Sequence, residues 1–272
     1  MILDGKKYRD ELLEEYKSVI ASNNLKIKLA IIHIGDDEAS NIYIKNKINA
    51  CEKVGIEVLK YIYDDIKEEE LVELINKLNN DEEVTGIILQ SPIPKHLDYD
   101  YLSNLIKSSK DVDGFTKENI YNLYLNRQSI LPCTVKGIIK LLMHYNITFD
   151  KKNVVIVGRG NIVGKPLALA LTNLNATVTL CHSHTKNLKE CTKNADIVIG
   201  ATGVPNIINK EMIRKDAILV DVGVTRVDGK IIGDIAQDCQ EKCSYITPNP
   251  GGVGPMTVAM IIDNLIEMKG NN

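Results

Sequence analysis

The sequence has no excess of positive charge, no long apolar run and no paired cysteines, and each absence removes a class of function. A net charge of -3 leaves no electrostatic footprint for nucleic acid. No stretch approaches the ~18 consecutive apolar residues of a membrane span. The opening residues, MILDGKKYRDELLEEY, are too charged for a secretory leader. These features predict a soluble, cytoplasmic chain with neither a nucleic-acid nor a membrane partner. Six cysteines, at 51, 133, 181, 191, 239 and 243, occur singly, without a CxxC pair. Cys239 and Cys243 lie four apart on an expected helix, yet no His or Cys cluster completes a metal site, so no metal is expected and the thiols read as free. No internal repeat, low-complexity segment or Ser-His-Asp arrangement stands out.

What is present centres on Asn153–Pro166, NVVIVGRGNIVGKP. Val154–Val157 reads as an apolar strand, Gly158 and Gly160 as a turn, and Gly164–Pro166 as the opening of a helix. Such a strand–turn–helix gathers backbone N–H groups and the positive end of a helix dipole at one spot, which suits a pyrophosphate. Glycine serves the turn because a Cβ would block left-handed dihedrals and the approach of phosphates. The spacing Gly158-x-Gly160-x-x-x-Gly164 is one residue longer at its last step than the usual dinucleotide fingerprint. A bare strand-to-helix turn is the alternative, and the βα repeats that follow favour the dinucleotide.

The 272 residues suffice for one large domain or two modest ones. Before the glycine turn, helices are expected over Asp4–Val19, Ala39–Val54 and Glu68–Leu78. Strands are expected over Lys28–Ile34, Ile56–Ile62 and Val84–Gln90. Gly55 reads as the helix-closing residue after Val54. Strands alternating with helices at this spacing imply parallel βαβ units. Ser91-Pro-Ile-Pro breaks the pattern just past the third strand, where open α/β sheets place their ligands. A short helix over Tyr101–Lys107 and the polar segment Lys110–Phe115 come next. Thr134 then reads as the cap of a helix with Ile138, Ile139, Leu142 and Tyr145 on one face. Asp150-Lys-Lys-Asn marks entry into the nucleotide domain. Further strands are expected at Ala176–Leu180, Ala195–Ile199, Ala217–Val220 and Ser244–Ile246. After the loop Thr247–Pro255, a closing helix presents Val258, Ile261, Ile262, Leu265 and Met268, followed by a polar tail. The economical architecture is α/β with two domains: a Rossmann-like, doubly wound nucleotide-binding domain and an α/β catalytic domain, with the active-site cleft between them.

In an NAD-selective site a carboxylate commonly follows the second strand, roughly 20 residues past the glycines, to hold the ribose 2′-hydroxyl. Here that strand runs into Leu180-Cys181-His182-Ser183-His184-Thr185, and Arg159 sits inside the glycine turn. A guanidinium with hydroxyl and imidazole donors suits a 2′-phosphate, so NADP is preferred over NAD. The alternatives are that Arg159 faces solvent and that His182 caps the strand. Upstream, Tyr43 and Lys47 share one face of an expected helix. Alone they could be an ordinary amphipathic pairing. Their company is Gln90 at a strand end, Asp113 in a turn and a Pro/Gly-rich loop at Pro250–Pro255. A lysine carries protons near neutrality when desolvation or a positive neighbour disfavours its charged form.

These pieces together resemble the bifunctional methylenetetrahydrofolate dehydrogenase/methenyltetrahydrofolate cyclohydrolase family along almost the whole chain. They are Tyr43-Ile-Lys-Asn-Lys47, Gly86–Pro94, Lys110-Asp-Val-Asp-Gly-Phe115, Leu131-Pro-Cys-Thr134, Gly158–Pro166 and Asp221-Val-Gly223. Pro248-Asn-Pro-Gly-Gly-Val-Gly-Pro-Met-Thr257 is the most specific. The resemblance implies hydride transfer from 5,10-methylenetetrahydrofolate to NADP, then hydrolysis of the methenyl cation to 10-formyltetrahydrofolate. It implies that Lys47 serves proton transfer, that Tyr43 stacks on the folate, that Gln90 orients Lys47 and that Asp113 binds the pterin. Leu89, Ser91, Pro250, Gly251, Gly252, Val253 and Pro255 would line the folate site. Gly158, Arg159, Gly160, Gly164, His182, Ser183, Thr202 and Val224 would contact the cofactor. A homodimer is implied as well. The expected division is a folate-binding domain over 1–146, joined by the closing helix 256–272, and a nucleotide-binding domain over 147–255.

The chain departs from the family pattern at Gly160, where Ser is common, at Thr225 for Asn, at Val135 for Pro and at Asn249 for Val. None of these is Lys47, Gln90 or Asp113. Two rival readings are a dehydrogenase of the same family without cyclohydrolase activity and a non-catalytic nucleotide-binding protein on this fold.

Overall fold

The computed structural model describes residues 1–270, apart from the side chains of residues 38 and 39. In chain order the elements are α1 (Gly5–Ser22), β1 (Lys28–Ile34), α2 (Glu38–Lys53), β2 (Glu57–Tyr63), α3 (Glu68–Asn80) and β3 (Gly86–Leu89). Then come α4 (Tyr99–Ser103), α5 (Lys117–Tyr124), α6 (Cys133–His144), β4 (Asn153–Val157), α7 (Gly164–Asn173), β5 (Thr177–Cys181), α8 (Leu188–Thr192) and β6 (Ile197–Gly200). The rest is β7 (Ile218–Asp221), β8 (Thr225–Val227), β9 (Lys230–Ile232), β10 (Tyr245–Ile246) and α9 (Val253–Gly270). Residues 271 and 272, the end of the expected polar tail, lie outside the described residues.

The chain divides into two compact units, one of Asp10–Cys133 with 258–272 and one of Met1–Arg9 with Thr134–Thr257. This division falls at different residues from the expected 146/147. Leu3 N donates to Ile246 O at 2.9 Å, and the Tyr8 ring stacks on His144 with centroids 3.8 Å apart. These contacts tie the first residues and α6 to the sheet that follows them in sequence.

In the first unit a three-stranded sheet runs in the order β2-β1-β3, with both pairings parallel. The central strand, KLAIIHI, is buried along nearly its whole length, as a strand covered on both faces must be. One face carries Ala30, Ile32 and Ile34, packed with Leu71, Ile75 and Leu78 of α3. Pairing of Ile32 with Leu89 carries on to Gln90 N, which donates to Ile32 O at 2.8 Å, so Gln90 leaves the sheet at a fixed point. Asp37 caps α2 by accepting from Ser40 N at 2.8 Å, and Gly55 (φ +91) closes it as expected.

In the second unit a five-stranded sheet runs β10-β7-β6-β4-β5, parallel throughout. Chain order reverses between β4 and β6, and such a switch point is where doubly wound sheets bind ligands beyond the strand ends. The hairpin β8–β9 was not anticipated. Its turn, Asp228-Gly229, has φ of +49 and +75, the left-handed pair that a tight primed turn requires. Cys239 lies on a single 3₁₀ stretch, Gln237–Glu241, rather than on the expected longer helix. Thr134 sits inside the first turn of α6, and its Oγ1 lies 3.1 Å from Thr257 Oγ1 rather than capping the helix.

Candidate functional site

The third turn of α2 carries Lys47 to the residue just past the end of β3. Its side chain is 96% buried, and Nζ donates to Gln90 Oε1 at 3.0 Å. Asp113 Oδ1 stands 4.0 Å from the same nitrogen, and the Tyr43 ring centroid lies 5.2 Å away. Gln90 Nε2 donates to Ser91 O at 2.7 Å, which leaves Oε1 turned to the lysine. Tyr43, Lys47, Gln90 and Asp113 are therefore brought together as expected. Leu89 is buried beneath them, and Ser91 is exposed. Burial pushes the thiol of Cys51, one turn along α2 from Lys47, up to about 12, which makes it an inert packing group.

The two aspartates of Lys110–Phe115 do different work. Asp111 is buried and accepts from Gly114 N at 2.9 Å, Thr116 N at 2.7 Å and Asn119 Nδ2 at 3.0 Å. Burial raises its pKa against those bonds. Gly114 (φ +74) is required here, since a Cβ would meet Ile130 O at 2.6 Å. The loop is thus shaped by Asp111, and Asp113 presents its carboxylate to Lys47. A small cavity beside it is lined by Leu89, Tyr99, Asp111, Asp113 and Thr116. Burial, with Asp113 second, raises the pKa of the Tyr99 phenol. The sequence offered no signal for Tyr99 over the exposed Tyr101 two residues on.

The other expected folate residues, Pro250, Gly251, Gly252, Val253 and Pro255, belong to the second unit. There Lys6 N donates to Gly251 O at 2.9 Å, and a Cβ on Gly5 would fall 1.8 Å from Gly252 O. This loop is held by close backbone approach, and α9 starts within it, at Val253, three residues earlier than expected.

At the switch point the glycine turn fits a dinucleotide. Gly158 (φ +123) lies so near the β6 loop that a Cβ would meet Ala201 O at 2.2 Å, and a Cβ on Gly164 would meet Gly158 O at 2.0 Å. Among the described residues no side chain caps the N-terminus of α7; Lys165 N donates to Gly160 O at 3.1 Å and Pro166 has no N–H, so what this end offers an anion is chiefly the positive end of the helix dipole. Gly160 differs, because a Cβ there meets nothing within 4 Å and its φ is not left-handed. Of the two glycines in the turn, the left-handed dihedral expected there is found at Gly158 and not at Gly160. Arg159 and Ser183 are exposed. His182 N donates to Thr185 Oγ1 at 2.9 Å, and His182 Nδ1 accepts from His184 N at 3.1 Å. In a neutral ring this leaves Nε2–H as a donor at the end of β5. Thr202 follows β6 and Val224 follows β7, both at carboxyl strand ends.

Among the described residues no group of three or more His, Cys, Asp or Glu is placed to hold a metal ion, and no helix is long and apolar enough to cross a membrane. A parallel sheet with this switch point and a buried lysine held by an amide and a carboxylate fit a two-domain α/β protein of the dinucleotide-binding class. Comparison with known proteins makes the assignment specific. The family models for the tetrahydrofolate dehydrogenase/cyclohydrolase NAD(P)-binding domain and catalytic domain match residues 132–272 and 3–113. The chain is 45% identical to the bifunctional protein FolD of Clostridium novyi over 97% of this chain and 98% of that protein. The crystal structure of the bifunctional FolD enzyme from Campylobacter jejuni superposes with a TM-score of 0.96 at 44% identity, covering 100% and 99% of the two chains. The FolD structure from Trypanosoma brucei, complexed with NADP cofactor and inhibitor, gives 0.93 at 31% identity, covering 100% and 97%. The chain belongs to the tetrahydrofolate dehydrogenase/cyclohydrolase family, and as a member it carries both dehydrogenase and cyclohydrolase activities.

Proposed function

We propose that the chain oxidises 5,10-methylenetetrahydrofolate with NADP and hydrolyses the resulting methenyl cation to 10-formyltetrahydrofolate, with Lys47 as the proton-transfer residue. The observation that carries this reading is Lys47 Nζ, almost wholly buried yet held at 3.0 Å by Gln90 and at 4.0 Å by Asp113. A lysine kept dry and aimed in this way is a positioned amine rather than a surface charge. In the hydrolysis step Nζ would take the proton from the water that attacks the methenyl carbon. Tyr43 supplies an aromatic face for the folate, and Asp113 an acceptor for the N–H edge of the pterin. Bound NADP supplies the hydride acceptor. Gly158, Gly164 and the start of α7 would hold its pyrophosphate, and Arg159, His182 and Ser183 its 2′-phosphate. For the hydride step this chain contributes mainly alignment.

The T. brucei relative is described with NADP, and the end of β5 here offers no carboxylate to repel a 2′-phosphate. A homodimer and a cytoplasmic location complete the reading. The test is a steady-state assay with 5,10-methylenetetrahydrofolate and either NADP or NAD, following reduced nicotinamide and methenyl absorbance together. NADP reduction with little methenyl build-up is expected. Methenyl accumulation would instead mean a dehydrogenase alone.

A further inference from the structure

Behind the strand ends that carry Thr202 and Val224 lies a buried polar knot that the two reactions leave unexplained. Asp234 has no solvent exposure, and its Oδ2 accepts from both Thr202 N at 2.6 Å and Thr202 Oγ1 at 2.8 Å. Thr202 Oγ1 in turn accepts from Val204 N at 3.0 Å, so one carboxylate oxygen organises the whole β6 loop. Its other oxygen, Oδ1, packs against the β7 loop, where a Cβ on Gly223 would fall 1.8 Å away. Asp234 is itself held, because its N–H donates to Asp221 Oδ1 at 2.9 Å. Asp221 Oδ2 accepts from Ile235 N at 3.3 Å, and Asp221 N donates to Thr247 Oγ1 at 2.7 Å.

Two positions where the chain departs from its family belong to this knot. Asn249 Nδ2 donates to Gly223 O at 2.6 Å, and Thr225 Oγ1 donates to Gly203 O at 2.6 Å. The loops after β6, β7 and β10 are thereby joined through side chains. Asp234 Oδ1 is buried and has no hydrogen-bond partner among the described residues. An unpaired buried carboxylate oxygen is costly, and a core residue kept only for packing would avoid it. What the carboxylate does that an apolar residue cannot is fix an N–H and an O–H of one threonine at once.

We propose that Asp234 is a positioning residue for the nicotinamide cofactor: it sets the β6 loop through Thr202 and the β7 loop by packing on Gly223. The proposal rests on the reading of Thr202 and Val224 as cofactor contacts. Asp234 touches neither cofactor nor folate in this scheme; it acts through the loops.

The experiment is calorimetric titration of the full chain with NADP for Asp234→Ala, Asp234→Asn and Val224→Asp. The thermal unfolding midpoint reports whether each variant is folded, and hydrolysis of the methenyl substrate, which consumes no nicotinamide, separates a cofactor effect from a general one in the Asp234 variants. Asp234→Ala is expected to weaken NADP binding by about tenfold or more, the worth of one charge-assisted hydrogen bond. The KM for NADP should rise more than kcat falls. Asp234→Asn should recover part of the loss, since the amide oxygen still accepts from Thr202. If Asp234→Ala fails to fold, the Asn variant carries the test, and an unchanged dissociation constant there overturns the proposal. Equal losses of NADP binding and methenyl hydrolysis would also overturn it, by showing a general structural role. Unchanged binding in the Asp234 variants alongside weakened binding in Val224→Asp would defeat the positioning role alone. Unchanged binding in all three would defeat the loop assignment with it.

Discussion

Lys47 Nζ donates to Oε1 of Gln90 at 3.0 Å, and the same amide is anchored at its other end by Ser91 O at 2.7 Å. One residue comes from the third turn of a helix and the other from the first position past a parallel strand. The amide therefore fixes where the amine points, and backbone register fixes the amide. Replacing Gln90 by Ala should lower methenyl hydrolysis while leaving NADP affinity unchanged, as steady-state kinetics and titration will show.

Lys47→Met should abolish most methenyl hydrolysis, roughly a hundredfold or more, the usual contribution of a positioned proton-transfer group. The thermal midpoint should fall, because the substitution takes one partner away and leaves Gln90 Oε1 and the Asp113 carboxylate without the amine. Hydrolysis at the wild-type rate would remove Lys47 from the mechanism.

Arg159→Ala should weaken NADP by about tenfold and NAD much less, since the guanidinium is assigned to the 2′-phosphate. Dissociation constants for both nucleotides decide this. Equal losses would mean that the arginine does not read the phosphate.

Gly160 and Gly164 should part company in one denaturation experiment. Serine at 160 enters open space and should shift stability by no more than about 0.5 kcal/mol, while its hydroxyl tightens NADP. Alanine at 164 drives a methyl to 2.0 Å from Gly158 O and should cost on the order of 1–3 kcal/mol.

Burial pushes the Asp221 carboxyl up to about 6 from its usual 3.8, with Asp234 adding to the shift and the N–H groups of Asp234 and Ile235 opposing it. A folded-state pKa above the unfolded value favours folding most where the group is protonated. This contribution is complete below about pH 4 and is lost as pH rises through about 6. Asp221→Asn should flatten the change in unfolding free energy between those values, measured by urea titration at several pH values.

The strand ladder was legible because parallel strands buried on both faces leave unbroken apolar runs, as in β1 and β4. Lys47 and Gln90 were legible through the family motifs rather than through spacing alone. The hairpin β8–β9 was missed because each arm is only 3 residues long and mostly exposed, which leaves no apolar pattern to read. Asp234 escaped because an aspartate among turn residues resembles any solvated loop aspartate. Its burial depends on β6 and β7 lying side by side, which no local window contains. Asn249 was visible as a departure, but its partner Gly223 is 26 residues away.

The Asp111-Val112-Asp113 segment has a consequence for how this enzyme can change. Asp111 accepts three hydrogen bonds, two from its own loop and one from Asn119 of α5, and Asp113 accepts none of them. Shaping the backbone and presenting a carboxylate to Lys47 thus fall to separate residues two positions apart. With Asp113 in the ring-binding role proposed above, substitutions at 113 would alter which ring the site accepts while the backbone beneath stays put, so ligand preference could drift here without first passing through an unfolded chain.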